Sequence, residues 1–499
     1  MTSARPSWSR ARLADVFGLD LRSLALFRVA LALCALADLA IRSSDLVAHY
    51  TDAGIAPRAD LLEEFAFLHD RAFCLHLIGG SAASQLVLFA LAAFAGVAFL
   101  VGWQTRTAAV ALWALTSSLQ LRNLYVGAGY DALLRMLLLW SCFLPLGARA
   151  SVDAAREGRG DASRPYVSVG SVALLVQLAL VFFLAGYGKW LQPAWRGGSA
   201  LARILADDMR VTALGAALRG HDGIGSLLGW SVAWFEMLAP LAFVSPIALG
   251  PIRTVTAVGL AGMAAGFGAV LHVGLFPFVT AAGVSALLPA WFWDVAWKRL
   301  RRLLGRPDRF RETHAMSPRR SVIAEGVCAI LLAFVVLWNG LPFVSSTARM
   351  PSVLEGIGRT LFLQQAWTMF AEPATRTGWI VMEGKLRSGR AVDLLAAGGP
   401  VPDLDDASRP VRREQPTSFD GPYANDRWRN FLDRAVRGTD TQRRLNLYGR
   451  YLCRTWNGAH LGDEQLTAFE LSWIAADVDP GARLGVYQRV RIWSHDCFA

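Results

Sequence analysis

A lysine closes an unbroken apolar run long enough to cross a bilayer. Residues 166–188 carry no ionisable group beyond two tyrosines and end on Lys189, with Trp195-Arg196-Gly197-Gly198 just beyond. An amine at the mouth of a membrane span is either a snorkelling anchor or a group retained for proton chemistry. In the second case desolvation depresses its pKa and frees the neutral amine to act as a base. Glu236 lies midway along another apolar run, where a lone carboxylate is expected to be protonated or paired. Asp131 and Arg135 stand four residues apart, on one helical face, and read as a mutually neutralising ion pair. Asp38, near the end of the first apolar run, reads as a cap or partner at the interface, and Arg28, near its start, as a snorkelling cation. His272 ends a further run, where a single histidine more often satisfies a hydrogen bond than ligates a metal. At a helical rise of about 1.5 Å per residue, Lys189, His272, Asp131 and Asp38 fall near one membrane face, with Arg135 about a turn deeper. That placement allows one shared polar pocket.

The elements that must position these groups are apolar blocks. The sequence is 54% hydrophobic and only 18% charged, and its mean hydropathy is +0.35, too apolar for an ordinary soluble protein. Nine stretches read as spans, at 23–41, 84–102, 107–121, 130–147, 166–188, 225–249, 254–272, 277–293 and 321–343, each near the roughly 20 residues that a 30 Å hydrocarbon core requires. Residues 1–22 lack the apolar core of a cleavable signal, so the first span is expected to be an uncleaved anchor. The net charge of +11 is concentrated in loops: residues 295–320 hold nine basic side chains against two acidic ones. By the positive-inside rule this segment is cytoplasmic, as is the N-terminus, and nine spans put the C-terminus outside. The basic excess is thus a topology signal, and a nucleic-acid partner is not expected. Membrane lipid is.

The fold expected is an all-α polytopic membrane bundle of about nine transmembrane helices over residues 1–343, followed by a small α+β extracytoplasmic domain over 344–499. The outer loops at 42–83 and 189–224 contain short helix-like pieces at 58–69 and 199–207 that suit the interface. In the tail, Trp379–Met382 and Ala391–Leu395 flank Ser388-Gly389 as a hairpin, and 399–422 reads as loop. Residues 425–437 and 440–456 have helical amphipathic periodicity, while 469–473 and 486–493 alternate as strands do. Of six cysteines, Cys34, Cys142 and Cys328 fall in spans and Cys74 in a loop, whereas Cys453 and Cys497 share the exported tail and are expected to form a disulfide. No phosphate loop, dinucleotide fingerprint, His-Glu-x-x-His or Cys-x-x-Cys is present, and eight scattered histidines give a metal centre little support.

Taken in order, several short motifs resemble the horizontally transferred transmembrane domain shared by vitamin K-dependent γ-carboxylases and their bacterial relatives. They are Leu26-Phe27-Arg28-Val29-Ala30 with Asp38, Tyr50–Pro57, Arg122-Asn123 with Asp131, Pro145-Leu146-Gly147 with Ala150–Asp153, Tyr187-Gly188-Lys189 with Trp195–Gly198, Glu236 with Pro240, His272–Pro277, and Leu288–Asp294. The tail resembles that of a bacterial subgroup through Trp367–Ala371, Gly389–Asp393 and Tyr451–Asn457. The resemblance implies a multi-pass protein of the cell inner (cytoplasmic) membrane, a reduced vitamin K-type quinone, and an exported peptide or protein substrate. In the carboxylases a lysine of the corresponding region deprotonates the quinol, oxygen converts the quinol to a strong base, a γ-proton of a peptide glutamate is abstracted and CO2 adds. By position Lys189 inherits the role of base, with Asp38, Asp131, Arg135, Tyr187, Trp195, Glu236 and His272 as pocket candidates. Two departures stand against this. Lys189 precedes Trp195 by one residue more than the family pattern, and Gly127–Asp131 lacks the histidine of the carboxylases' Asn-His pair. They keep open a second expectation, of a non-catalytic or divergent member serving as a membrane maturation or interaction partner.

Overall fold

The computed structural model of the protein describes residues 15–65, 74–157, 165–303, 321–344, 350–395, 425–438, 441–479 and 481–498. The long helices, numbered in chain order, are α1 (Leu21–Ser44), α2 (Ala82–Val101), α3 (Thr105–Arg122), α4 (Gly129–Ser141), α5 (Val169–Leu191), α6 (Asp222–Phe243), α7 (Leu249–Val270), α8 (Phe276–Ser285), α9 (Ala290–Leu303) and α10 (Val322–Val344). Their ends follow local chemistry. Asp20, Ser81 and Ser168 accept hydrogen bonds from the otherwise unpartnered N–H groups that open α1, α2 and α5. Gly102 closes α2 in the left-handed conformation, φ 70°.

Each of the nine apolar runs contains a helix, but nine spans are not observed. Among the described residues six helices are long and apolar enough to cross a membrane, or seven if the bent pair α8 and α9 forms one span. The shortfall has physical causes. Helix α3 carries Arg106, Thr116, Ser117, Ser118, Gln120 and Arg122, which makes it too polar. Helix α4 has only 13 residues, about 20 Å at the helical rise. The run 277–293 is broken before Ala290 and turns by 96°. The chain is a multi-pass membrane protein, and counting spans no longer fixes the side of its C-terminus.

The last part of the chain forms a four-stranded antiparallel sheet of order β2-β1-β3-β4, with β1 (Arg376–Leu386), β2 (Ala391–Asp393), β3 (Leu466–Asp477) and β4 (Gln488–Asp496). The expected hairpin is β1–β2, turning at Gly389, φ 85°. The two amphipathic helices are α11 (Asp426–Arg437), capped by Asn425, and α12 (Gln442–Ala459). Cys453 and Cys497 are joined by a disulfide, and the other four cysteines are free and buried. The expected loop 399–422 and residues 304–320 of the basic stretch 295–320 lie outside the described residues. One small cluster, Trp379, Val381 and Ile474, belongs to the sheet alone, and its other clustered apolar side chains join the helical part. Ile380, Met382, Phe431 and Leu471 cluster with Tyr50, Phe89, Leu119 and Tyr125 from the helical part, so the tail seats directly on the ends of the first helices.

Candidate functional site

Helices α5 and α6 cross where α5 has Gly186. A Cβ there would stand 2.7 Å from the Met237 backbone nitrogen and 2.8 Å from the Ala233 carbonyl oxygen, so only glycine permits this approach. One turn on from that crossing, Lys189 Nζ donates to Glu236 Oε2 at 2.6 Å. Lys189 is 2% exposed and Glu236 5%. The amine is therefore paired inside the bundle, and a snorkelling position is ruled out. Its charge also lies 5.6 Å from the centre of the Trp195 ring, an indole held by bonds to the carbonyls of Phe370 and Ala371. We expect Gly186→Ala to force the helices apart and lower the thermal unfolding temperature in detergent, by an amount equivalent to about 1–3 kcal/mol. An unchanged melting profile would contradict the crossing.

The pair lines a chamber of about 30 Å³, closed by Phe182, Phe267, Phe276, Thr280, Trp367, Met369 and Phe370. Thr280 is 2% exposed, and its hydroxyl has no hydrogen-bond partner among the described residues. Phe276, Met369 and Phe370 also border a larger cavity of about 350 Å³, whose polar lining includes Asp207, Arg210, His272, Glu372, Asp426 and Asn430. Trp367, Met369 and Phe370 come from the segment after α10, so the tail supplies part of the wall of both spaces. Among the polar groups, Arg437 bonds Asp207 at 3.0 Å and Arg210 bonds Asp433 at 2.8 Å. Burial pushes the carboxyl pKa of Asp207 and of Asp426 upward, against the pull of neighbouring arginines.

The other candidate residues are placed differently from expectation. Asp38 and Asp131 do not reach the chamber. They form a buried four-charge cluster with Arg42 and Arg427: Arg42 bonds Asp38 at 2.8 Å and Asp131 at 2.9 Å, and Arg427 bonds Asp131 at 2.6 Å and also Asp38. The hydroxyls of Tyr50 and Tyr130 accept from Arg42 and Arg427. Burial works against the Arg427 charge, but the Asp131 and Asp38 carboxylates outweigh it and hold the guanidinium pKa well above its ordinary value. Arg135 is not the partner of Asp131. Two arginines and the Ala128 N–H already occupy that carboxylate, and Arg135 instead bonds Gln120 and the carbonyls of Phe362 and Gln364. Nor does Arg28 snorkel: it is 1% exposed and donates to the carbonyls of Leu146 and Ala150, acceptors left over where the chain turns after α4. Tyr187 packs on Phe183 and Phe343 and lines neither cavity. His272 lines the larger cavity, so the four groups expected near one face are divided among three places.

Arg42, Arg427 and Thr280 were not singled out by sequence. A signal existed for Arg427, which stands four residues before Phe431 and hence on the buried face of α11. Among the described residues no His, Cys, Asp and Glu side chains are grouped to hold a metal ion. The HTTM domain model matches residues 18–293, more than half the chain. Neither a curated protein nor a solved structure matches it. The matched region begins just before α1, ends within α9 and contains both the Lys189–Glu236 pair and the two aspartates, and the protein belongs to the HTTM domain family.

Proposed function

We propose that this protein is a membrane-embedded acid–base enzyme of the γ-carboxylase-like kind, with Lys189 as its base. The observation that carries this reading is the Lys189–Glu236 pair, 2.6 Å long and withdrawn from solvent, next to a ligand-sized cavity. The pair holds one proton between nitrogen and oxygen. Once that proton has passed to solvent water the pair is a neutral amine beside a carboxylate, and the amine accepts a proton from a ligand hydroxyl. Glu236 acts as the positioning partner and proton reservoir.

The larger cavity, about 350 Å³, lies within the roughly 300–1,000 Å³ usual for small-molecule sites. Tyr130, Phe276, Met369 and Phe370 offer ring and thioether contacts, and His272 and Asn430 offer polar ones. A reduced quinone would take that cavity and not the chamber, whose 30 Å³ suits a group the size of water. Bound in that cavity, a quinol would supply electrons and an ionisable hydroxyl, while the chain's residues orient it and manage its proton. We place this cavity and the tail on the outer side of the cell inner membrane. The Cys453–Cys497 disulfide suits an oxidising compartment, and exposed Lys298, Arg299 and Arg302 on α9 suit a cytoplasmic face. An exported peptide or protein is the matching substrate.

The test is incorporation of labelled CO2 into glutamate-containing peptides by the purified protein with reduced quinone. Wild type is expected to incorporate label and Lys189→Ala to lose it by at least about 100-fold. Equal incorporation by both removes Lys189 from the mechanism. No incorporation and no quinone binding by wild type favours the second reading, a non-catalytic maturation or interaction partner. That reading draws on the smallness of the chamber and the full neutralisation of Lys189 by Glu236.

A further inference from the structure

Thr280 departs from a pattern that several other helical hydroxyls keep. Within their helices Thr254, Thr256, Ser141 and Ser231 each donate to the carbonyl four residues back, at 2.8 Å. This is the usual way to satisfy a hydroxyl in an apolar helix. The Thr280 hydroxyl, in a side chain 2% exposed, makes no such bond and has no other partner among the described residues. It belongs to the wall of the chamber that also holds Lys189 and Glu236. A valine would fill the same volume without leaving a polar atom unmatched.

We infer that the chamber is a single-water site, in which Thr280 positions a water against the Lys189–Glu236 pair and connects that pair to the larger cavity. Three features select water over other occupants. The space, about 30 Å³, exceeds the roughly 10–15 Å³ a water needs and excludes an organic ligand. The two charges in the wall cancel, so no counter-ion is called for. A buried water also needs two to four polar partners. The chamber provides the Thr280 hydroxyl, the Lys189 N–H groups not used by Glu236, and the second carboxylate oxygen of Glu236.

The inference rests on the acid–base reading of the pair and gives it a route. The water passes one of its protons to the Lys189–Glu236 pair and takes one from a ligand hydroxyl in the larger cavity. The ligand loses a proton, the pair gains one, and the water is regenerated. Thr280 is thus a positioning residue, acting through the water it holds.

The experiment is a structure of the full chain in lipid nanodiscs, at a resolution that shows ordered water, for wild type, Thr280→Val and Thr280→Ser. The expected result is a water about 2.6–3.2 Å from Thr280 Oγ1 and from Lys189 or Glu236, absent in Thr280→Val and kept in Thr280→Ser. With turnover as a second readout, Thr280→Val is expected to lose about 100-fold in rate and change the solvent isotope effect, with Thr280→Ser restoring both. A dry chamber in wild type, or a water unmoved in Thr280→Val, overturns the inference. CO2 incorporation by a protein with a dry chamber sinks the water site alone. A water that obeys these expectations in a protein without carboxylation leaves the site standing and sinks the carboxylase-like reading.

Discussion

Arg427→Ala is expected to be the most damaging single change outside the chamber. The side chain is fully buried and spans from α11 to the carboxylates of Asp38 on α1 and Asp131 on α4. With it, the cluster holds two positive and two negative charges. Without it, Arg42 alone faces two aspartates, and one negative charge is stranded where water cannot reach. Breaking a buried pair by removing one partner typically costs about 3–5 kcal/mol, because the remaining charge is uncompensated. The loss also releases α11, whose Trp428 and Asn425 hold Asp45 just beyond α1. Limited trypsin digestion should therefore cut the variant within the tail at concentrations that leave wild type intact, and its thermal unfolding should begin lower. Two companions separate charge from shape. Arg427→Lys keeps the charge but cannot fork across both carboxylates, so an intermediate loss is expected. Adding Asp38→Asn to Arg427→Ala restores neutrality and should recover part of the stability. If the double variant is no more stable than Arg427→Ala, charge imbalance is not the cause.

This cluster marks the boundary of what the sequence discloses. The helical blocks were readable because a bilayer demands long apolar runs, and the β1–β2 hairpin because Gly389 punctuates alternating residues. The count of nine spans is not confirmed, because an apolar run reports a buried helix whether or not it crosses: α4 is apolar yet 13 residues long, since the chain turns soon after Ser141. Asp38 and Asp131 stood out as ionisable groups among apolar neighbours, but their partner Arg427 is 296 residues from Asp131 along the chain. It sits in a helix whose overall composition is polar. Arg135 misled for the converse reason, because four-residue spacing shows that two groups can meet and not that they prefer each other. Lys189 and Glu236 were each legible alone. Their meeting depends on the close crossing at Gly186, a tertiary fact with no local signature. The Thr280 hydroxyl is least legible of all, since threonine in an apolar helix ordinarily bonds its own backbone.

Glu236→Gln should affect the chamber more than any other change of a single atom type. Glutamine keeps the shape and offers Lys189 an acceptor, but it leaves the ammonium without a counter-charge. Two outcomes are open to such an amine: it stays charged and the fold weakens by up to about 3–5 kcal/mol, or it gives up its proton. In either case the thermal unfolding temperature in detergent should fall relative to wild type. The informative comparison is the double variant Lys189→Met, Glu236→Gln, which removes the charges and keeps most of the volume. Replacing a buried ion pair by uncharged groups of similar size is often neutral or stabilising, by about 1–4 kcal/mol. We therefore expect the double variant to be more stable than Glu236→Gln and close to wild type, while losing any proton-transfer activity. That result would mean the pair is not kept for stability, since a well-packed neutral chamber serves the fold as well. The opposite result, a double variant as unstable as Glu236→Gln, would make the pair a clamp between α5 and α6. Lys189 would then join Arg28 as a buried cation held for architecture.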